Sequence, residues 1–108
     1  MASGKPIVRL LFVKMKQAFH ELSQEDRTAF MRKDRENLDS LGMSAVTMVD
    51  CRWSTEDWDF IGVEEWPSLE SLEARGRFEK EQLQTSKYIH SKVFVGSPVS
   101  FVEYGKDT

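Results

Sequence analysis

The chain has 108 residues, of which 40% are hydrophobic and 31% are charged, and its formal net charge is −3. This length suits a single domain over residues 1–108, and the composition is that of a globular protein. There is no basic block and no basic amphipathic helix, so we expect the chain to bind neither nucleic acid nor an anionic membrane. The one cysteine cannot form an internal disulfide, which favours a reducing, cytoplasmic location.

The first predicted element is a strand over residues 6–15, PIVRLLFVKM. Both of its alternating faces are largely apolar, which indicates a central strand buried on both sides. Arg9 and Lys14 interrupt the apolar run. The run is therefore too short for a signal peptide or a membrane span.

A helix is predicted next, from Ser23 to about Leu41. Ser23 is a good N-cap, Asp26 three residues later approximates a capping box, and Gly42 is a natural stop.

Asp34 and Asn37 interrupt the apolar stripe of this helix. They lie either at its solvated edge or beside a ligand. If a binding pocket lies between the sheet and the helices, we predict that at least one of them faces it.

Residues 43–53 and 58–66 alternate as two strands, and the polar residues 54–57, STED, fit a four-residue hairpin loop. All three tryptophans of the chain lie in residues 48–66. With that loop, the facing pairs would be Trp53 with Trp58, Arg52 with Asp59, and Cys51 with Phe60. Cross-strand aromatic pairs stabilise a hairpin, and the same rings offer a wall to a ligand.

A second helix is predicted within residues 66–84, after Pro67 and Ser68. Gly76 lies on its apolar face, where it would allow the helix to approach the sheet closely. Residues 87–104 follow as a last strand, a turn at GSP and a short extended tail.

The predicted order is therefore β-α-β-β-α-β. This is an α+β, ferredoxin-like sandwich, and right-handed crossovers give an antiparallel sheet in the order 4-1-3-2. The two helices cover one face of such a sheet. Because the other face is also apolar, we predict a homodimer.

This topology gathers possible acid–base groups at one end of the sheet. His20 follows the first strand, and Tyr88 and His90 lie at the start of the last strand, at the end that carries Trp53 and Trp58. Two imidazoles and a phenol beside an aromatic wall suit proton transfer on a small molecule. As alternatives, both histidines are solvated loop residues and Tyr88 is a core aromatic. Two histidines alone do not indicate a metal site, so we expect none.

The segment LLFVKMKQAFHELSQEDRTAFM, residues 10–31, resembles the opening of darcynin-like members of the dimeric α/β-barrel superfamily. The shared features are an apolar strand, a short loop, an L-S-x-E-x-R helix start and an aromatic residue. In this chain these are Leu22, Ser23, Glu25, Arg27 and Phe30. Residues 59–74, DFIGVEEWPSLESLEA, are similar to the superfamily's third strand and second helix start.

The resemblance implies a dimeric α/β barrel with a ligand pocket between each sheet and its helices. In cyclase-type members a histidine and a tyrosine near the start of the last strand form an acid–base pair, and Tyr88 and His90 fall in that region. It therefore implies an enzyme without metal or organic cofactor that cyclises, isomerises or dehydrates an aromatic or polyketide-like metabolite. A cofactor-free monooxygenase of a phenolic or anthrone-type substrate is the close alternative.

In that hypothesis the catalytic residues are His90 as general acid or base, Tyr88 as its hydrogen-bonding partner, and His20 as a second acid–base or binding group. The substrate-binding residues would be Trp53, Trp58, Phe60, Asp34, Asn37 and Arg52.

Two further alternatives stay open. One is a non-catalytic binding or oligomerisation module that uses the same pocket. The other is a haem-associated enzyme, because haem-degrading members use a histidine, an asparagine and a tryptophan, and Asn37 and Trp66 are present here.

Overall fold

The computed structural model describes residues 6–102 and 104–106. The predictions that include residues 1–5, 103 and 107–108 fall in part outside these ranges. The four strands are β1 (Ile7–Met15), β2 (Ser44–Asp50), β3 (Phe60–Trp66) and β4 (Ile89–Gly96). The helices are α1 (Gln17–His20), α2 (Gln24–Ser40), α3 (Leu69–Phe78) and α4 (Thr85–Tyr88), with a π-helical turn at Glu79–Leu83.

The four strands form one sheet in the order β2-β3-β1-β4, with every neighbouring pair antiparallel. Read from the other edge, this is the predicted order 4-1-3-2. The central strand β1 lies between β3 and β4, as its apolar character on both faces requires. The predicted α+β, ferredoxin-like architecture is confirmed.

The two faces of the sheet are distinguished by alternation along the strands. Arg9 on β1 and Glu64 on β3 are paired in register, and their side chains point toward the helices. The residues that alternate with Arg9 and Glu64 along the strands point to the opposite side of the sheet, which we call the open face. Its apolar members are Val8, Leu10, Phe12, Ile61, Val63 and Phe94.

Helix α2 begins and ends where its sequence predicts. The Ser23 side chain accepts a hydrogen bond of 3.0 Å from the backbone N–H of Asp26. Gly42 follows the helix with a φ of +80°, a left-handed conformation that residues with a Cβ rarely adopt. A Cβ added there would lie 3.3 Å from Cγ of Pro67.

The sequence predicts one second helix within residues 66–84, but in the structure this helix is not continuous. Helix α3 passes into the π-helical turn, which ends at Gln84 in a left-handed conformation with a φ of +51°. The Thr85 hydroxyl donates a 3.1 Å hydrogen bond to the backbone carbonyl of Glu79. This bond links the first residue of the short helix α4 to the first residue of the π-helical turn.

The role predicted for Gly76 is wrong. Gly76 is exposed, and a Cβ added to it would have no atom within 4 Å among its described neighbours. The glycine therefore does not serve a close approach of α3 to the sheet.

The hairpin connection is longer than the predicted four residues. Asp50 pairs with Phe60 as the last strand pair, so residues 51–59 form the loop. The Asp50 carboxylate accepts hydrogen bonds from the backbone N–H of Arg52 at 3.0 Å and from the Arg52 guanidinium at 2.8 Å. This local side-chain turn ends β2 before Trp53 is reached. Arg52 is therefore paired with Asp50 rather than with Asp59.

The predicted pairing of Trp53 with Trp58 is wrong for the same reason. Trp53 is 86% exposed at the loop surface. Trp58 instead packs edge-on against Phe12, with ring centroids 5.4 Å apart.

We expect opposite effects from alanine at Gly42 and at Gly76. Gly42→Ala should lower the free energy of unfolding by about 1–2 kcal/mol, because alanine is strained at a positive φ. Gly76→Ala should raise it by up to about 1 kcal/mol, because it removes a glycine from a helix interior and meets no neighbour. Urea denaturation of both variants checks this, and stabilisation by Gly42→Ala would contradict the assigned backbone.

Candidate active site

A chain of buried charges connects the sheet to the helices. Nε of Arg9 donates a 2.6 Å hydrogen bond to Oε1 of Glu64, and Nη1 of Arg9 lies 3.3 Å from Oε2 of Glu79. Trp66 is fully buried, and its Nε1 donates to the same Glu64 oxygen at 3.0 Å. The Arg9 guanidinium also lies 5.4 Å from the Trp66 ring centroid. Strands β1 and β3 are thus tied to the π-helical turn by charged groups.

Arg75 continues this chain toward α2. Its Nε donates to Glu79 at 3.0 Å, and its Nη1 donates to Oδ1 of Asn37 at 2.9 Å. Its Nη2 forms an ion pair with Asp34. Asp34 and Asn37 therefore serve to hold a buried arginine of α3, and the prediction that one of them faces a ligand is not supported. We call the seven residues the buried ion network: Arg9, Asp34, Asn37, Glu64, Trp66, Arg75 and Glu79.

The electrostatics of this network favour the charged form of Arg9. Burial alone would lower the pKa of its guanidinium, but the hydrogen bond to Glu64 and the charges of Glu79 and Glu64 outweigh it, so the pKa lies above its usual value. Nη2 of Arg9 is buried and has no hydrogen-bond partner among the described residues. Glu64 is 7% exposed, so its carboxylate depends on Arg9 and Trp66 rather than on water.

A cleft of 430 Å³ lies between α2 and the π-helical turn. We call it the helix cleft. One wall is a single stripe of α2 together with Leu22 just before it, and the other wall comes from the π-helical turn, Gln84 and Tyr88 of α4. The lining residues are Leu22, Asp26, Ala29, Phe30, Lys33, Gln82, Leu83, Gln84 and Tyr88.

The helix cleft has two different ends. Tyr88 lies at the end where β1 finishes and α2 starts, because its carbonyl accepts a 2.8 Å hydrogen bond from the backbone N–H of Lys16. Asp26, in the first turn of α2, lies at the same end. Lys33 lies two helical turns further on, and its Nζ donates to the carbonyl of Gln82 at 3.1 Å. The middle is aromatic, since Phe30 meets Tyr88 edge-on at 5.4 Å.

Unusual backbone surrounds this cleft. The π-helical turn forms its wall, and Gln84, a non-glycine residue at positive φ, lines it. Such features concentrate at functional sites, where the surrounding structure holds them in place. Here Glu79, the first residue of the turn, is held by Arg9 and Arg75. The buried ion network therefore positions one wall of the cleft.

His90 lies on the other side of the sheet. Its ring is stacked on Trp58 at a centroid distance of 5.7 Å and an interplanar angle of 6°. Lys14 is its cross-strand neighbour on the open face. Tyr88 belongs to α4 and packs on α2, on the helix side. The predicted hydrogen-bonded pair of Tyr88 and His90 is therefore wrong, because the sheet separates the two side chains.

The remaining predicted residues are dispersed. His20 is exposed on α1, and an edge contact of 6.1 Å with Phe19 places it beside the helix layer. Phe60 is half-buried, with the Arg52 guanidinium 4.9 Å from its ring centroid. Neither Arg52 nor Phe60 lines the helix cleft.

The described residues contain neither a metal-binding cluster nor a membrane-spanning helix. No group of three or more His, Cys, Asp or Glu side chains within residues 6–102 and 104–106 is arranged to hold a metal ion. Within the same ranges no helix has the length and apolar character needed to cross a bilayer.

Comparison with known proteins shows the fold and nothing finer. No family model matches the chain. No curated protein sequence matches it either. Solved structures do match: the methylated RPA0582 protein superposes with a TM-score of 0.65 over 90% of this chain and 83% of its own, at 18% identity.

Two further structures carry the same arrangement. A dabb family protein with a ferredoxin-like fold from Mesorhizobium loti superposes with a TM-score of 0.59 over 90% of this chain and 100% of its own, at 10% identity. The chain has a ferredoxin-like fold. A variant of chlorite dismutase from Candidatus Nitrospira defluvii superposes with a TM-score of 0.65 over 91% of this chain, at 21% identity. The chain spans only 43% of that protein's length.

Sequence analysis missed Asp26 and Lys33 as cleft residues. Asp26 was assigned only to the helix cap, although its backbone N–H, and not its carboxylate, makes the bond to Ser23. A usable signal was the spacing of Asp26, Ala29, Phe30 and Lys33, which places all four on one face of a helix.

We expect Arg9→Met to be strongly destabilising. Methionine leaves the buried Glu64 carboxylate without its cation, which typically costs about 3–5 kcal/mol of unfolding free energy. Arg35→Met is the matched control, because the Arg35–Asp39 pair is exposed and should contribute no more than about 1 kcal/mol. Urea denaturation measures both, and equal losses would contradict the importance of the buried pair.

Proposed function

We propose that this protein binds a small, largely aromatic molecule in the helix cleft and catalyses a proton transfer on it. The observation that carries the proposal is the edge contact between Phe30, in the middle of the cleft, and Tyr88, at the end that also carries Asp26. Aromatic rings provide contact area for a flat ligand, and a phenol and a carboxylate supply the acid and the base. Cyclisation, isomerisation and dehydration all need such a pair.

The two polar groups would act on opposite sides of one reacting unit. The Tyr88 hydroxyl donates a hydrogen bond to a substrate carbonyl, and this bond strengthens as negative charge develops on the oxygen. The Asp26 carboxylate accepts the proton from the adjacent carbon. Asp26 then donates this proton to another atom of the same molecule, so that no external oxidant is needed.

The cofactor-free monooxygenase remains the second candidate of the same class. It would start with the same deprotonation, giving a carbanion or phenolate that reacts with molecular oxygen. Consumption of oxygen by the wild-type protein in the presence of an anthrone distinguishes this reaction from simple proton transfer.

The residues fit a haem-associated role poorly. Trp66 is fully buried and already bonded to Glu64, and Asn37 holds Arg75. A haem iron needs an axial side chain inside its pocket. His20 and His90 are both exposed, and His90 lies across the sheet from the helix cleft.

We expect Tyr88→Phe to lower catalysis by about 100-fold or more, since an acid–base group typically contributes about 10²–10⁴-fold. Deuterium incorporation at the activated methylene of benzoylacetone, followed by NMR, measures the transfer. The matched control is Tyr104→Phe, because Tyr104 is the other tyrosine, 73% exposed in the terminal segment. Binding of naphthol should persist in both variants.

Parallel variants distinguish the two faces of the sheet. Asp26→Asn should reduce the exchange to its uncatalysed rate, whereas Glu25→Gln, the adjacent carboxyl, should not. The catalytic role predicted for His90 stays a prediction, and His90→Ala tests it. If exchange falls with His90→Ala and persists with Tyr88→Phe, the chemistry belongs to the open face, and the cleft proposal is wrong. If wild-type protein neither exchanges benzoylacetone nor binds naphthol, the proposal also fails.

We also propose that two copies of this chain associate through their open faces. Several apolar residues support this proposal because they remain on a surface that no helix covers, and Phe94, for example, is 51% exposed. The described chain is only 17 Å thick along its shortest axis. A patch of this kind is typical of an interface.

We expect the wild-type protein to sediment as a dimer at micromolar concentration and Phe94→Glu to sediment as a monomer, because a buried carboxylate would oppose the contact. Val93→Glu is the matched control. Val93 is the adjacent residue, 44% exposed, and alternation places it on the other face of β4. Sedimentation of the wild-type protein as a monomer would contradict the dimer.

A further inference from the structure

The helix cleft has ends of opposite charge. Asp26 and Lys33 are seven positions apart on α2, which places their Cα atoms about 10.5 Å from each other on the same face. Ala29 and Phe30 lie between them on that stripe. The line from Asp26 to Lys33 therefore runs from an anionic end, over an apolar middle, to a cationic end.

The ammonium group of Lys33 is placed by two contacts. Its Nζ donates to the Gln82 carbonyl at 3.1 Å and lies 6.0 Å from the ring centroid of Phe78. An ammonium has three donors, and the carbonyl uses one of them. Lys33 therefore lies at one end of the cleft, and its other N–H groups can donate to a ligand.

From this arrangement we propose that the substrate is an aromatic carboxylic acid, with its carboxylate bound by Lys33 and its reacting carbonyl or phenol at the end of Asp26 and Tyr88. This inference rests on the proposed function of the same cleft. The reverse orientation would place the substrate carboxylate against Asp26, where like charges repel.

Binding of three probes by the purified protein tests the proposal. Naphthoic acid carries the carboxylate, naphthamide is its neutral isostere, and naphthol has neither group. The wild-type protein should bind naphthoic acid about tenfold more tightly than naphthamide, and Lys33→Gln should remove that preference while leaving the affinity for naphthol unchanged. Lys33→Arg should retain most of it.

Arg32→Gln is the matched control. Arg32 is the preceding residue, also exposed on α2, and it does not line the cleft. This variant removes the same charge from the protein, so its preference for naphthoic acid should remain. A general effect of net charge would instead weaken naphthoic acid binding equally in Arg32→Gln and Lys33→Gln, and would overturn the proposal.

The remaining outcomes separate this proposal from the function on which it rests. If the wild-type protein binds naphthol but does not distinguish naphthoic acid from naphthamide, the carboxylate assignment is wrong and the aromatic cleft stands. If the preference persists in Lys33→Gln, another cation holds the carboxylate. If no probe binds, the proposed function fails together with the substrate class.

Discussion

The pairing of Arg9 with Glu64 is the interaction on which the rest of the structure depends. Both residues point from the sheet toward the helices, and a charge in that position is tolerated only with a close partner. Each side chain also needs further hydrogen bonds, which Trp66 and Glu79 supply. Glu79 belongs to the helix layer, so the ion pairs continue from the sheet into that layer, where Arg75 also binds Glu79. Strand pairing and helix placement are therefore specified together.

The Arg9–Glu64 pair is linked to the helix cleft through Glu79. Glu79 starts the π-helical turn, and the residues that follow it wall the cleft. A side chain that holds two buried arginines cannot shift without leaving charge unpaired. The unusual backbone of the wall is consequently held by the ion pairs of Glu79 with two buried arginines.

The sequence was sufficient for the order of the four strands and the two longer helices, for both ends of α2 and for the sheet topology, but not for α1, the π-helical turn or α4. A capping serine or a stopping glycine acts within a few residues, so its effect can be read directly. The buried ion network could not be read in this way, because Arg9 and Glu64 are 55 positions apart. The start of the last strand was also mispredicted: Tyr88 was placed at its beginning, but Tyr88 ends α4 and β4 begins at Ile89. The hairpin was mispredicted because Asp50 captures Arg52 locally.

The π-helical turn also sets the length of this part of the chain. A π turn holds one more residue than an α-helical turn, and the chain then rejoins the sheet where the carbonyl of Tyr88 meets the N–H of Lys16. Deleting a single residue between Glu79 and Leu83 would restore ordinary helical pairing and carry β4 out of register with β1. Natural sequences that keep this site should therefore show substitutions in the turn while conserving the number of residues between Glu79 and the last strand.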